Sequence, residues 1–241
     1  MNKLLIFFVF IVFSQTPSKH IVVEYDISTS ELTANIPDVD KVPKSVIESF
    51  KKSFELINQM TTSLVATKSE GYCWTTNEVP NDVSTSEYET AIIMLGGNDK
   101  YYLNLNKDIV NKYFNAYGEK VYTEKKIKDF NWVLSKDSKM IGDYKCFKAT
   151  LTYEVENLSG VHKKKVTAYY TPEINYSYGP MGYGGLPGLI IELKDDKITY
   201  VVNNVKFKDE DLKFPKLPKS KLVTEKELKE MYKVAKANRG W

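Results

Sequence analysis

The chain has 241 residues, with 34 Lys and Arg against 31 Asp and Glu, and with two cysteines and two histidines. A net charge of +3 is too small for a nucleic-acid-binding surface, so we expect no nucleic-acid partner. Hydrophobic residues make up 42% of the chain, which suffices for a packed core and excludes a disordered protein. The few cysteines and histidines argue against a disulfide-dense scaffold and a zinc site. We predict no metal and no cofactor.

The N-terminus has the three-part pattern of a secretory signal peptide. A basic start at Lys3 precedes an apolar run over residues 4–13, and small or modest side chains offer a cleavage site before Gln15. Ten apolar residues span only about 15 Å as a helix, half of the hydrocarbon core, so we predict no stable transmembrane segment. A buried N-terminal strand is the alternative. No cysteine follows the run, so a lipid anchor is not expected.

These features predict a periplasmic or secreted protein, with a signal peptide at 1–14 and a single domain at 15–241. An exported chain can hold a disulfide, and Cys73 and Cys146 are the candidates for an internal bond. Two separate buried thiols are the alternative, and a reactive thiol is a third interpretation that needs a nearby base.

The first half of the chain predicts strands with some helix. Alternating apolar residues indicate a strand over 21–27, and a helical spacing indicates a short helix over 43–52. Residues 54–57 and 63–66 resemble a hairpin, and the polar stretch 76–87 predicts a loop. Further strands are predicted over 92–95, 101–105 and 120–122.

The second half predicts an antiparallel sheet. A strand is predicted over 130–134, and apolar residues alternate with polar ones over 147–155, as in a sheet with one face in solvent. Residues 161–170 return as the next strand. A further hairpin combines 189–193 with 198–202, around an acidic turn.

A helix is predicted to close the chain. Thr224 and Glu227 form a capping box, and apolar residues follow at helical spacing. The proline-containing, charged segment 209–221 before them predicts a tether. We therefore expect a mainly β fold: a curved antiparallel sheet or incomplete β-barrel, with one or two short helices including the C-terminal one.

A glycine-rich segment at 179–190 is the most informative motif. Dense glycine indicates positive φ or close backbone approach, and Pro187 with Gly188 predicts a type II turn that begins at Leu186. The apolar residues around this turn predict that the loop dips into the core. A phosphate-binding loop is excluded because a strand, not a helix, follows. The motif residues are Gly179, Pro180, Gly184, Gly185, Leu186, Pro187, Gly188, Leu189 and Ile190.

These residues carry a resemblance. Residues 185–190 spell Gly-Leu-Pro-Gly-Leu-Ile, and the blocks 130–132, 141–149 and 168–174 precede them in a matching order. The chain thus resembles the GLPGLI family of exported Bacteroidetes proteins over about residues 100–205. The resemblance implies an envelope protein without an established activity, and it supplies no catalytic residues. A similarity in fold to the incomplete β-barrels of periplasmic lipoprotein carriers is an analogy only.

Three function classes follow. Five tyrosines close in sequence to the glycine segment predict a pocket for a hydrophobic ligand or peptide. Such a pocket indicates a non-enzymatic binding or carrier module. An accessory interaction protein for an outer-membrane transporter or envelope assembly would instead expose an apolar patch or a free strand edge. A hydrolase or peptidase would bring carboxylates or a Cys–His pair together in a cleft. The tyrosines predicted to line a ligand site are Tyr169, Tyr170, Tyr176, Tyr178 and Tyr183.

Overall fold

The computed structural model describes residues 19–34, 43–76, 84–96, 98–157 and 160–238, so the predicted signal peptide lies outside the described residues. The strands are β1 (His20–Ser28), β2 (Thr61–Ala66), β3 (Glu70–Thr76), β4 (Lys100–Asn104), β5 (Ile109–Ala116), β6 (Glu119–Lys126), β7 (Val133–Ile141), β8 (Tyr144–Asn157), β9 (Gly160–Thr171), β10 (Leu189–Asp195), β11 (Ile198–Lys208) and β12 (Lys221–Leu222). The helices are α1 (Ser30–Ala34), α2 (Lys44–Ile57), α3 (Thr85–Met94) and α4 (Glu225–Asn238). Within the described ranges, each helix is too short or too polar to cross a membrane.

The strands form one open sheet in the order β12-β6-β5-β4-β3-β2-β1-β11-β10-β9-β8-β7. The pairing is antiparallel except between β12 and β6, which run parallel. Strands β6 and β8 lie nine places apart in this order, yet both contribute side chains to one cavity. The sheet is therefore bent around its inner face, and the predicted mainly β fold is confirmed. The structure has four helices in the described residues, more than the one or two predicted.

The inner face of the sheet carries the core. On β1, Ile21, Val23 and Tyr25 are fully buried, as the predicted alternation requires. Val23 lies opposite Leu64 of β2, which in turn lies opposite Cys73 of β3. Burying each large aliphatic side chain contributes about 1.5–3 kcal/mol. A continuous row of such residues across neighbouring strands therefore fixes the register.

Two strand predictions in the first half are wrong. Residues 54–57 form the last turn of α2, because Ile47, Phe54 and Ile57 share one buried helical face, and β2 pairs with β3 instead. Residues 92–94 belong to α3, which Ser84 caps by accepting a hydrogen bond from the Glu87 amide at 3.3 Å. An apolar run of four residues has too few turns to distinguish a helix from a strand.

The strand predicted over 130–134 begins only at Val133. Residues Ile127–Phe130 form a 3₁₀ turn, and Asn131 follows it in the left-handed region with φ 49°. Asparagine tolerates this conformation better than most residues, and it ends the turn. Trp132 is thereby directed inward, and its indole donates a hydrogen bond to the Gly184 carbonyl at 3.0 Å.

The C-terminal helix begins at the predicted capping box. The Thr224 amide donates to Glu227 Oε2 at 2.7 Å, and the Glu227 amide donates to Thr224 Oγ1 at 3.2 Å. Leu228 and Met231 of α4 pack against a small cluster that includes Val121 of β6. The chain before α4 is held by the parallel pairing of β12 with β6.

The two cysteines lie far apart in the sheet, and both are free and buried. Strand β3 carries Cys73 and β8 carries Cys146, with five strands between them. Adjacent strands are about 4.8 Å apart, so the two positions are about 29 Å apart along the sheet. A disulfide requires Cα atoms within about 7 Å. The structure therefore has two separate thiols in place of the predicted disulfide.

We expect two free thiols per chain. Burial raises the pKa of Cys73 to about 12 and that of Cys146 to about 11, so both stay protonated and slow to react in the folded protein. Unfolding without reductant exposes them, and mass spectrometry after alkylation is expected to show two modified cysteines. Unmodified cysteines under these conditions, with two modifications only after reduction, would establish the disulfide instead.

Candidate functional site

The segment between β9 and β10, residues 172–188, lies on the inner face of the sheet. Its Tyr178 is fully buried, and a Cβ atom placed on Gly71 of β3 would lie 2.8 Å from the Tyr178 ring. A Cβ atom on Gly182 would likewise lie 2.5 Å from the Tyr101 ring of β4. The segment closes on itself through a hydrogen bond from the Gly185 amide to the Ser177 carbonyl at 3.0 Å. We call residues 172–188 the inner loop.

The glycine motif fixes how the inner loop enters β10. Leu186, Leu189 and Ile190 are buried, so the predicted dip into the core is confirmed. The turn itself differs from the prediction. The Gly188 amide donates to the Leu186 carbonyl at 2.8 Å, which makes a three-residue turn around Pro187 and not a type II turn.

The remaining motif residues also make close backbone or side-chain approaches. Gly179 lies against the Ile190 side chain, and Pro180 begins the 3₁₀ turn Pro180–Gly182. Gly184 bridges to Tyr178, and Gly185 has φ 82° and faces Ile127. The motif therefore serves packing, and none of these residues lines the cavity described next.

A cavity of 640 Å³ lies between the bent arms of the sheet. Strands β5 and β6 form one wall, and β8 with the β10–β11 hairpin forms the opposite wall. Met181, Gly182 and Tyr183 of the inner loop contribute to its lining. Leu32, Phe54, Met94 and Leu95, which come from α1 to α3 or directly follow α3, add apolar side chains.

Asp195 is the polar centre of this cavity. It ends β10 opposite Ile198, and it accepts a hydrogen bond from each of two tyrosines that also line the cavity. The Tyr153 hydroxyl lies 3.0 Å from one carboxylate oxygen, and the Tyr183 hydroxyl lies 2.8 Å from the other. Burial and the charge of Asp195 raise the pKa of both tyrosines, so their hydroxyls remain protonated donors.

Aromatic rings hold Tyr183 in place. The Phe130 ring centroid lies 5.4 Å from that of Tyr183, and the Trp132 centroid lies 6.0 Å away. The hydrogen bond from Trp132 to the Gly184 carbonyl ties this cluster to the inner loop. Since aromatic pairs at these separations attract each other, Tyr183 is positioned before any ligand arrives.

Three of the five lysines that line the cavity, Lys112, Lys125 and Lys164, form ion pairs. Lys164 forms an ion pair with Asp196 at 2.9 Å, and Lys112 forms one with the buried Asp99 at 2.7 Å. Burial raises the pKa of the Asp99 carboxyl, and Lys112 opposes that shift. The other lysines that line the cavity are exposed: Lys125, Lys126 and Lys197.

Of the five tyrosines predicted to line a ligand site, Tyr183 lines the cavity and the other four lie elsewhere. Tyr169 is covered by the Lys139 ammonium, 4.0 Å from its ring centroid. Tyr170 packs against Phe147. Tyr176 and Tyr178 belong to the inner loop itself and are buried in the core. Tyr170, Tyr176 and Tyr178 are therefore core residues, and Tyr169 is only partly buried.

Sequence reasoning missed most of the polar lining. Asp195 lies in the acidic hairpin turn, which carried no signal for a site by itself. Tyr153 falls on the apolar face of the alternating 147–155 segment, which predicted its direction but not its partner. In the described part of the chain, no group of three His, Cys, Asp or Glu side chains is arranged to hold a metal ion. The cavity therefore offers apolar walls, phenolic donors, five lysines and three carboxylates, of which Asp195 is the one bonded to the tyrosines.

Comparison with known proteins gives a family model and a fold. Residues 156–192 match the family model Porph_ging, described as a protein of unknown function. The match runs from the end of β8 to β10 and includes the inner loop. Similarity to the GLPGLI family therefore remains the interpretation of the sequence motif. No curated protein matches the chain.

Two solved structures of PNGF-II resemble the chain. The structure in space group P21 gives a TM-score of 0.53 at 12% identity, over 91% of this chain and 34% of that one. The structure in space group C2 gives a TM-score of 0.50 at 12% identity, over 90% and 33%. The chain spans about a third of the length of these solved chains. At this identity the likeness concerns the fold alone.

We expect Gly188 to be intolerant of any side chain. Its φ is 145°, and an added Cβ would lie 2.0 Å from the Thr171 carbonyl oxygen. Gly188→Ala is expected to lower the free energy of unfolding by at least about 3 kcal/mol through strain and overlap combined. Thermal and denaturant unfolding measure the loss.

Gly118→Ala is the matched control. Gly118 also has a positive φ, 90°, but an added Cβ there meets nothing within 4 Å. Only the backbone strain remains, so the expected loss is about 1–2 kcal/mol. Equal losses in the two variants would show that the Gly188 turn does not pack as described.

Proposed function

We propose that this protein is an exported, non-enzymatic binding module that holds a hydrophobic ligand or peptide in the cavity beside the inner loop. The observation that carries the proposal is the 640 Å³ cavity between the two arms of the sheet. Ligand sites in proteins have volumes of about 300–1,000 Å³, with mainly apolar linings and a few placed polar groups. The signal-peptide pattern at 1–14 supports export, since the N-terminal residues have the order of a secretory leader.

The lining supports binding of an amphipathic molecule. Phe54, Leu95 and Leu151 supply apolar surface, and the tyrosines supply rings with a polar tip. Asp195 and its two tyrosine partners form a hydrogen-bonded polar group in this lining, which also contains five lysines, Asp129 and Asp196. A ligand with an apolar body and one polar group would therefore match both parts of the lining.

The available chemistry favours binding over catalysis. The Cys73 thiol is fully buried beneath the inner loop, and its pKa is raised to about 12, which suppresses the thiolate that a nucleophile needs. Asp195 has phenol partners, and Asp196 is paired with Lys164. A hydrolase of the kinds considered from the sequence would need a base or a second carboxylate directed at a shared reacting atom.

An accessory interaction role is the second candidate, and the free edge of the sheet favours it. Strand β7 is an edge strand in the described sheet, and its Val133, Leu134 and Met140 are exposed. An apolar edge of this kind can pair with an added strand of a partner protein. A folded protein that binds no ligand, but forms crosslinks through β7 in the cell envelope, would favour this candidate.

Blocking the cavity tests the binding proposal. Thr123 lines the cavity from β6, so Thr123→Trp is expected to fill part of the volume and weaken binding of the neutral fluorescent probe N-phenyl-1-naphthylamine about tenfold or more. Probe fluorescence at rising protein concentration measures the affinity.

Thr167→Trp is the matched control. Thr167 lies on β9 between Val166 and Ala168, both buried on the inner face, so its own side chain points to the outer face. This variant is expected to bind the probe as the unsubstituted protein does. Equal binding by the Thr123 and Thr167 variants, or no binding by the unsubstituted protein, would contradict the proposal.

A further inference from the structure

Asp195 holds a negative charge in the cavity without a cationic partner. In the described part of the chain, no ion pair joins a lysine to this carboxylate, although Lys164 pairs with the adjacent Asp196. The two tyrosine hydroxyls use one acceptor position on each carboxylate oxygen. A carboxylate has about four such positions, so the group can accept further hydrogen bonds.

Aromatic rings surround this charge. Four tyrosines line the cavity, namely Tyr101, Tyr153, Tyr183 and Tyr200, and Phe130 joins them beside Tyr183. Burial raises the pKa of each of the four tyrosines, and the charge of Asp195 adds to the rise, which agrees with their positions near it. A carboxylate close to several aromatic rings attracts an organic cation, because a ring face that the cation reaches adds cation–π attraction to the charge pairing.

The lysines of the cavity do not supply that cation. Lys112 is engaged by Asp99, and Lys164 by Asp196. The ammonium of the exposed Lys125 lies 3.7 Å from Glu225 Oε1 of α4. Lys126 and Lys197 are exposed to solvent. Water and salt screen such exposed charges strongly. The charge of Asp195 therefore remains available to a ligand that enters the cavity.

We propose that the cavity recognises an amine-bearing amphiphile, whose ammonium group binds the Asp195 carboxylate between the tyrosine rings while its apolar chain contacts Phe54 and Leu95. This inference rests on the proposed binding function and specifies its ligand class. The ammonium donates to the free acceptor positions of Asp195, and Tyr153 and Tyr183 keep the carboxylate oriented. A lipid amine and the amino group of an apolar peptide share this chemistry.

Three probes with the same eight-carbon chain test the assignment: octylammonium, octanol and octanoate. Titration calorimetry at pH 7 is expected to give octylammonium an affinity about tenfold higher than octanol, with octanoate the weakest. Octanol or octanoate binding as tightly as octylammonium would overturn the amine assignment while leaving the binding function in place. No binding of any probe would instead count against the binding function itself.

A pair of isosteric variants locates the preference. Asp195→Asn removes the charge and keeps groups that can pair with the tyrosines, so octylammonium is expected to lose its advantage while octanol still binds. Asp143→Asn is the control, because Asp143 is exposed in the turn between β7 and β8 and does not line the cavity. It is expected to keep the preference. An unchanged preference in the Asp195 variant, or its loss in both variants, would overturn the assignment.

A comparison of peptide and octylammonium binding distinguishes a peptide amino group from a lipid amine as the ligand. Native mass spectrometry with a short apolar peptide, tested with a free and with an acetylated N-terminus, is expected to show binding of only the free form if the site takes peptides. Binding of octylammonium without binding of the free peptide would assign a lipid-like amine. Equal binding of the free and acetylated peptides would contradict recognition of the ammonium.

Discussion

The structure depends on the contact between the inner loop and the concave face of the sheet. An open sheet of twelve strands has an inner face too large for its own side chains to cover, and helices α1 to α3 reach only part of it. The inner loop covers a further part with its own backbone and rings, and the cavity occupies the space that remains between the arms. It can approach this closely because Gly71 and Gly182 leave room for the rings of Tyr178 and Tyr101. Close packing of this kind tolerates few changes in volume.

The same loop gives the cavity its character. Its 3₁₀ turn places Tyr183 beside Phe130 and Trp132, and Trp132 in turn donates to the loop backbone at Gly184. Tyr183 then orients Asp195, which belongs to a hairpin on the opposite arm of the sheet. Packing of the loop and the polarity of the cavity are therefore coupled. A change that dislodges the motif is expected to disturb the carboxylate as well as the core.

The sequence was informative where a pattern repeats over many residues. The alternation over 147–155, the capping box at Thr224 and the apolar entry into β10 each reflect a local rule, and each is found in the structure. Short apolar runs did not predict the correct element. Residues 54–57 and 92–94 are as compatible with a helix as with the predicted strand. The proposed disulfide failed because the strand order that separates Cys73 from Cys146 is a long-range property.

Most residues of the candidate site could not be predicted from the sequence, because their proximity also depends on the long-range order of the strands. Tyr153, Tyr183 and Asp195 are spread over 43 positions, and only the bend of the sheet and the path of the loop unite them. The tyrosines nearest the glycine motif were the natural candidates, yet Tyr176 and Tyr178 are buried in the core. The sequence predicted that tyrosines would line a cavity, and the topology of the sheet determined which tyrosines do so.

Residue-resolved hydrogen exchange shows whether the inner loop is as stable as the sheet that it covers. We expect the amides of Gly185, Leu189 and Ile190, which donate to carbonyls within the loop and at its base, to exchange as slowly as those of the central strands β1 and β2. Slow exchange would show that the loop is part of the core. Exchange as fast as in an exposed turn would contradict the account, because a loop that opens freely could neither cover the concave face nor position Tyr183 against Asp195.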